Sequence, residues 1–183
     1  MDQPRGPNND TFIAAATAAA GIGIGYLLLK SLFAPAKIIG KQVILITGAS
    51  SGIGKATALK LIADGHIVYG AARRVANMQD LVDAGGHAIA LDVCKEDQIV
   101  EAVKRIMDEQ KKIDVLINNA GYAVYGSVED TTMDDARRQF EVNIFGVARL
   151  TKEVLPIMRR QQSGKIINIS SVGGKIYTPF GAW

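Results

Sequence analysis

The segment Thr47-Gly-Ala-Ser-Ser-Gly-Ile-Gly54 follows directly on the apolar run Val43 to Thr47 and opens an amphipathic stretch that contains Ala58, Leu59, Leu61 and Ile62. A glycine cluster says little by itself. One set between a buried strand and the start of a helix fixes a strand-turn-helix crossover whose free backbone N–H groups and helix dipole face an anion. Each glycine has its own expected use: Gly48 for the tight turn, Gly52 for close approach of the backbone to a phosphate, and Gly54 for close packing of helix on strand. Thr47, Ser50, Ser51 and Ile53 complete this candidate phosphate-binding turn. Its spacing is G-x3-G-x-G, distinct from the common G-x-G-x-x-G.

Beyond the turn, short apolar runs alternate with longer amphipathic stretches, the pattern of repeated β-α-β units around a parallel sheet. Strands are expected at 43–47, 66–70, 88–91, 113–117 and 165–170. Ile99, Val100, Val103, Ile106 and Met107 are expected to make one face of an intervening helix. A long helix should start near Thr131 or Thr132, with Asp134 and Asp135 favouring its first turn, and run on past Pro156 with a kink there. Met107, Met133 and Met158 on these helices read as core or interface. The expected fold is α/β, a doubly wound parallel sheet of the Rossmann type, incomplete at the C-terminus because no helix follows the fifth strand to cover its flank.

A chain of 183 residues, 48% hydrophobic, holds one domain with a proper core and an appended segment, and is too short for two ordinary domains. The net charge of +3 and the lack of a basic block with interleaved aromatics argue against nucleic acid as a partner. A single cysteine, Cys94, cannot form an internal disulfide, and no metal-ligand cluster surrounds His66 or His87. No metal is expected, and the main domain suits a reducing compartment.

The appended segment is N-terminal. Residues 1–10 form a polar tail, and Phe12 to Leu29 then runs eighteen residues without a charge, close to the length of a membrane-spanning helix. Residues 11–33 are therefore read as a transmembrane anchor, 34–40 as a linker and 41–183 as the main domain. Gly21-xxx-Gly25 would let two such helices approach closely. Lys30, Lys37 and Lys41 follow the run, whereas Arg5 before it is opposed by Asp2 and Asp10, which places the main domain on the cytosolic side of a single-pass protein. A cleaved signal peptide is the alternative, with Ala34-Pro-Ala36 as a small-residue cleavage site, although no basic region precedes the apolar stretch. A buried or membrane-surface helix is a third reading.

Four ordered motifs carry a resemblance to the short-chain dehydrogenase/reductase family over roughly residues 41–183. The first, Thr47 to Gly54, resembles the family's TGxxxGxG. Asn118-Asn-Ala-Gly121 resembles its NNAG motif, in which the first Asn stabilises the central sheet and the backbone after it, here Ala120 and Gly121, lines the cofactor. Asn143, in Val-Asn-Ile-Phe-Gly, matches the family's active-site asparagine, and Ser170-Ser171 stands where its catalytic serine belongs. Asp92 follows the third strand where the family places the acid that meets the adenine. The resemblance implies a nicotinamide cofactor, with NADP(H) expected: the second strand ends Gly70-Ala-Ala-Arg-Arg74, Ala72 stands where an NAD-preferring site has an acid, and Arg73 offers a guanidinium suited to phosphate. A solvated arginine pair at a loop start is the other reading of Arg73 and Arg74.

The family's reaction is hydride transfer between the cofactor and a carbonyl or alcohol carbon. A tyrosine handles the proton, its pKa lowered by a lysine four residues further on, while the serine polarises the substrate oxygen and the asparagine helps keep a water in the proton relay. The family's tyrosine lies about thirteen residues after the serine, which from Ser171 gives position 184. Tyr177 does not substitute, because Gly181 stands where the lysine is needed and Pro179 spoils the helix. Starting from Ser170 reaches Trp183, whose indole cannot do the proton transfer. Ser170 is therefore read as a strand-end hydroxyl with a structural hydrogen bond, and Tyr122 and Tyr125 as packing residues near the substrate cleft. Val172-Gly-Gly-Lys-Ile176 and the anchor resemble relatives that act on steroids, retinoids or other lipophilic molecules. Two functions follow as expectations. One is an oxidoreductase of a small, lipophilic carbonyl or alcohol, with this chain lacking the catalytic Tyr and Lys; the resemblance implies a homodimer through the helix near 131–160 together with the helix that carries the tyrosine, and the oligomeric state of this chain stays open. The other is a catalytically inactive nucleotide-binding, membrane-associated fragment.

Overall fold

In the computed structural model, residues 40–176, 178–181 and 183 are described. The expected anchor at 11–33 and Tyr177 lie outside the described residues. Among the described residues no helix is long and apolar enough to cross a membrane.

Lys41–Trp183 forms one compact unit. Its strands are β1 (Val43–Thr47), β2 (Ile67–Ala72), β3 (His87–Ala90), β4 (Val115–Asn118) and β5 (Lys165–Asn168). All pair in parallel, in the order β3-β2-β1-β4-β5. The helices are α1 (Gly52–Ala63), a short α2 (Gln79–Asp83), α3 (Glu96–Gln110), α4 (Met133–Phe140) and α5 (Val147–Gln161). Successive β1 residues face opposite sides. Val43 and Leu45 pack with Ile99, Val103 and Ile106 of α3 and with Leu150 and Val154 of α5. Ile44 and Ile46 pack on the other side with Ala58 of α1 and Leu81 of α2. The sheet is thus wound on both faces, as the alternation of elements predicts. β5 is an edge strand among the described residues, with Ile167 exposed.

Several expectations are corrected. In α3 the buried positions are Ile99, Ala102, Val103 and Ile106, while Val100 is exposed. The spacing i, i+3, i+4, i+7 defines the face, and Val100 sits about 100° round from Ile99. Of the three methionines read as core or interface, Met158 is buried and Met107 packs against the core, while Met133 is exposed on α4. The long helix does start where expected: the Thr132 hydroxyl caps it by accepting the Asp135 N–H, with Asp134 and Asp135 in the first turn. Its interruption, however, is a π-helical stretch at Glu141–Gly146, and Pro156 lies within α5.

The far end of the sheet carries a polar staple. Tyr69, fully buried on β2, stacks on His87 of β3 with ring centroids 4.4 Å apart. Its hydroxyl donates to Glu109 Oε2 at 2.6 Å and accepts from Gln110 Nε2 at 2.9 Å. Burial first, and donation to the Glu109 carboxylate second, push its pKa from 10.0 to about 12. A raised folded-state pKa stabilises the native protein below the unfolded value, and that stability is lost as pH rises from 10 towards 12. Unfolding free energy should therefore fall more steeply over this window in the wild type than in Tyr69→Phe, by about 2–3 kcal/mol, in denaturant titrations at stepped pH.

Candidate active site

The chain runs outward from β1 through β2 to β3, then returns to place β4 on the other side of β1. This reversal opens a crevice beyond the carboxyl ends of the strands, the place where open α/β sheets bind ligands. A cleft of about 1610 Å³ lies there, lined among others by Gly52, Arg73, Asp92, Asn143 and Ser171. That exceeds the ~300–1,000 Å³ of an ordinary small-ligand pocket and gives room for two ligands side by side.

The glycine turn adopts the conformation its residues predict. Gly48 and Gly52 have φ of +69° and +56°, which side chains disfavour. A Cβ on Gly54 would collide with the Asn119 amide and meet the Gly48 carbonyl oxygen at 2.5 Å, whereas one on Gly52 would meet nothing. Gly54 is thus a packing glycine, and Gly52 faces the open cleft. Ser51 sits at the N-cap of α1 without a side-chain capping bond, leaving the first amides of α1 available to a ligand. Ser50, Ser51 and Ile53 also line the cleft.

Thr47 serves differently. It is 2% exposed, and its Oγ1 accepts the N–H groups of Asn119 and Ala120, both at 3.0 Å. The Asn119 side chain returns the contact by donating to the Thr47 carbonyl at 2.9 Å. Together they lock the end of β1 to the end of β4 and set the distance between the phosphate turn and the Ala120-Gly121 backbone. In the sequence Asn119 carries no signal beyond its place between Asn118 and Ala120. Asn118, 3% exposed, donates to Asn168 Oδ1 at 2.9 Å and Thr151 Oγ1 at 3.2 Å, tying β4 to β5 and α5.

On the cofactor-expectant side, β2 runs two residues further than its apolar pattern indicated, so Arg73 and Arg74 stand immediately at its end, exposed and in the cleft lining. Neither is in an ion pair among the described residues. Asp92 lines the cleft, and its Oδ1 accepts the Cys94 N–H at 3.0 Å. Burial, reinforced by the Asp92 charge, pushes the Cys94 thiol pKa up, so this cysteine is not a poised thiolate.

At the other end, Asn143 lies within the π-helical stretch, a feature that recurs at functional sites. Its Oδ1 accepts the Tyr122 N–H at 3.1 Å and its Nδ2 donates to the Tyr122 carbonyl at 2.7 Å. The amide is thus engaged in both directions with the Tyr122 backbone. Gly146 brings the π stretch against the loop after β3, where a Cβ would lie 2.8 Å from Val93 Cγ2. Ser171 Oγ accepts the Gly173 N–H at 3.0 Å and caps a short 3-10 turn, Val172–Gly174. The structural hydrogen bond expected of Ser170 is therefore made by Ser171, because Ser171 is the residue in N-cap geometry. Its hydroxyl proton remains free to donate. Tyr122 and Tyr125, expected to pack, are instead 40% and 69% exposed and line the cleft.

Comparison with known proteins agrees with this geometry. The chain is 45% identical over 139 residues to a 3-ketodihydrosphingosine reductase of Bacteroides thetaiotaomicron, a match covering 76% of the chain and 50% of that protein. It spans about half the length of the curated relatives it matches. A crystal structure of a short-chain dehydrogenase from Streptomyces avermitilis superposes with a TM-score of 0.74 at 41% identity, covering 78% of this chain and 54% of that one. A 3-ketoacyl-(acyl-carrier-protein) reductase from Brucella melitensis, complexed with NADH, does so with a TM-score of 0.73 at 29% identity, covering 78% and 62%. Residues 42–183 match the family model described as short chain dehydrogenase. On the ordered motifs, the switch-point cleft and these matches together, the chain belongs to the short-chain dehydrogenase family.

Proposed function

We propose that this chain is the cofactor-binding part of an NADP(H)-dependent oxidoreductase that transfers a hydride between the nicotinamide and a carbonyl or alcohol carbon of a lipophilic small molecule. The observation that carries the reading is the donor set at the switch point: uncapped α1 amides beside an open Gly52, and at the end of β2 no acid but Arg73 and Arg74. These groups fit a pyrophosphate and a ribose phosphate respectively. Asp92 stands ready to accept from the adenine amino group, and the Ala120-Gly121 backbone lines the path towards Asn143 and Ser171. A bound nicotinamide supplies or takes the hydride. Ser171 then donates a hydrogen bond from its hydroxyl to the substrate oxygen and polarises it, its own oxygen held by the Gly173 N–H. Tyr122, Tyr125, Ile176 and Trp183 give this end of the cleft an aromatic and apolar wall, which supports a lipophilic substrate.

The same reading keeps residues 11–33 as a membrane anchor with the domain on the cytosolic side, supported by the charge-free run and the lysines that follow it. Exposed Met133, Phe140, Phe145 and Leu155 along α4, the π stretch and α5 support a homodimer through that helix. An inactive nucleotide-binding, membrane-associated protein is the second reading, favoured by Pro179 and Gly181, which deny Tyr177 the helix and the lysine four residues on that the family's tyrosine needs.

Arg73→Glu tests the cofactor assignment. It should weaken NADPH binding about 100-fold, the loss of a charge-assisted phosphate contact plus like-charge repulsion, while changing the NADH dissociation constant less than about threefold. Equal losses for both dinucleotides would reject Arg73 as the phosphate partner.

A further inference from the structure

Gln139 is a buried polar residue in the cleft lining that the cofactor reading leaves without a role. It is 6% exposed, and both ends of its amide are engaged. Oε1 accepts the Val124 N–H at 2.5 Å, and Nε2 donates to a main-chain oxygen of Trp183, the last residue of the sequence, at 2.8 Å. Four residues on, Asn143 holds the backbone of Tyr122 in both directions. Two amide side chains spaced for the same helical face thus grip the backbone at 122 and 124. Tyr125, next along the loop, is left 69% exposed beside the cleft. The same loop meets the 178–183 segment a second time, where the Gly126 N–H donates to the Phe180 carbonyl at 2.8 Å and Gly126 bridges Gly181.

Among the described residues, the two segments that wall this end of the cleft are therefore joined at one point by backbone and at another through the Gln139 side chain. We propose that Gln139 is a positioning residue that sets the spacing of these segments, and with it the mouth of the cleft between Tyr125 and Trp183. The inference rests on reading this end of the cleft as the substrate side. An amide suits the place because it accepts one N–H and donates to one main-chain oxygen. Methionine matches its length and does neither, and an ionised glutamate only accepts.

That difference makes the two contacts separately measurable, because Trp183 is the one tryptophan in the sequence. The full chain would be followed by amide hydrogen exchange at Val124 and by acrylamide quenching of Trp183 fluorescence, with the core amides of Leu45 and Leu116 as a check on folding. In Gln139→Met, Val124 exchange should accelerate at least about tenfold and the quenching constant rise about twofold, consistent with loss of one net hydrogen bond of about 1.4 kcal/mol at the amide. In Gln139→Glu, at mildly alkaline pH, Val124 should stay protected while Trp183 quenching rises as in the Met variant. NADPH affinity should stay within about twofold of wild type in both, since neither touches the phosphate turn. Wild-type exchange and quenching in the Met variant would overturn the proposal, as would loss of Val124 protection in the Glu variant with the core intact. A wild-type chain that fails to bind NADPH would instead count against the cofactor reading, leaving the exchange and fluorescence results to stand on their own.

Discussion

Gly54→Ala is expected to destabilise the domain by about 3 kcal/mol and to weaken dinucleotide binding by about 100-fold or more. One methyl group has this effect because of where it lands. A Cβ at 54 would press on the Asn119 amide and on the Gly48 carbonyl, 2.5 Å away. The carbonyl is backbone and the amide is bonded to Thr47, so neither can swing aside. Relief comes only from moving α1 off the ends of β1 and β4, which also displaces the amides that would meet the pyrophosphate. Gly52→Ala is the informative contrast. Its Cβ would meet nothing, and only the φ of +56° is unfavourable, so a stability loss of about 1 kcal/mol is expected. Thermal or urea unfolding of the two variants should therefore differ clearly, and similar losses would show that Gly54 is not a packing glycine.

The second large effect concerns turnover. Under the proposed reaction, the 183-residue chain alone should consume no measurable NADPH with small carbonyl substrates. Ser171 can polarise a substrate oxygen, but the resemblance to the family implies that the proton comes from a tyrosine about thirteen residues further on, with a lysine four beyond it. Lack of a general acid typically costs roughly 10² to 10⁴ in rate, and the lysine's grip on the cofactor would be missing too. A longer chain carrying tyrosine at position 184 and that lysine should reduce such substrates at an ordinary rate of about 1 per second or more. Turnover of that size by the 183-residue chain would show that the spacing from Ser171 has been misjudged.

Much of the frame was legible because it depends on local pattern. Val43 to Ile46 is apolar throughout, and the expected strand 43–47 lies in the middle of the sheet and matches β1 residue for residue. The shifts at β2 and β4 arise because strand ends are set by pairing with neighbours: Ala71 joins the ladder through Thr47 and Ile89, which apolar runs do not disclose. The glycine roles were readable from context, since a strand before and a helix after leave each glycine one task. What escaped was chemistry between residues far apart in sequence. Thr47 looked like part of a phosphate turn, yet its hydroxyl is engaged by backbone 72 and 73 residues away. Gln139 sits in a polar helix stretch with nothing to mark it, and its meaning comes from Val124 and Trp183. The π stretch at Glu141–Gly146 likewise has no proline to announce it, while Pro156, the expected site of a kink, sits inside α5.

The central claim is that residues 41–183 present a dinucleotide cleft selective for the 2′-phosphate. Calorimetric titration of the wild-type chain with NADPH and with NADH under one buffer condition tests it most directly. NADPH is expected to bind at least about tenfold more tightly, a difference of about 1.4 kcal/mol. Equal or tighter binding of NADH would contradict the assignment of Arg73, and binding of neither would contradict the claim itself.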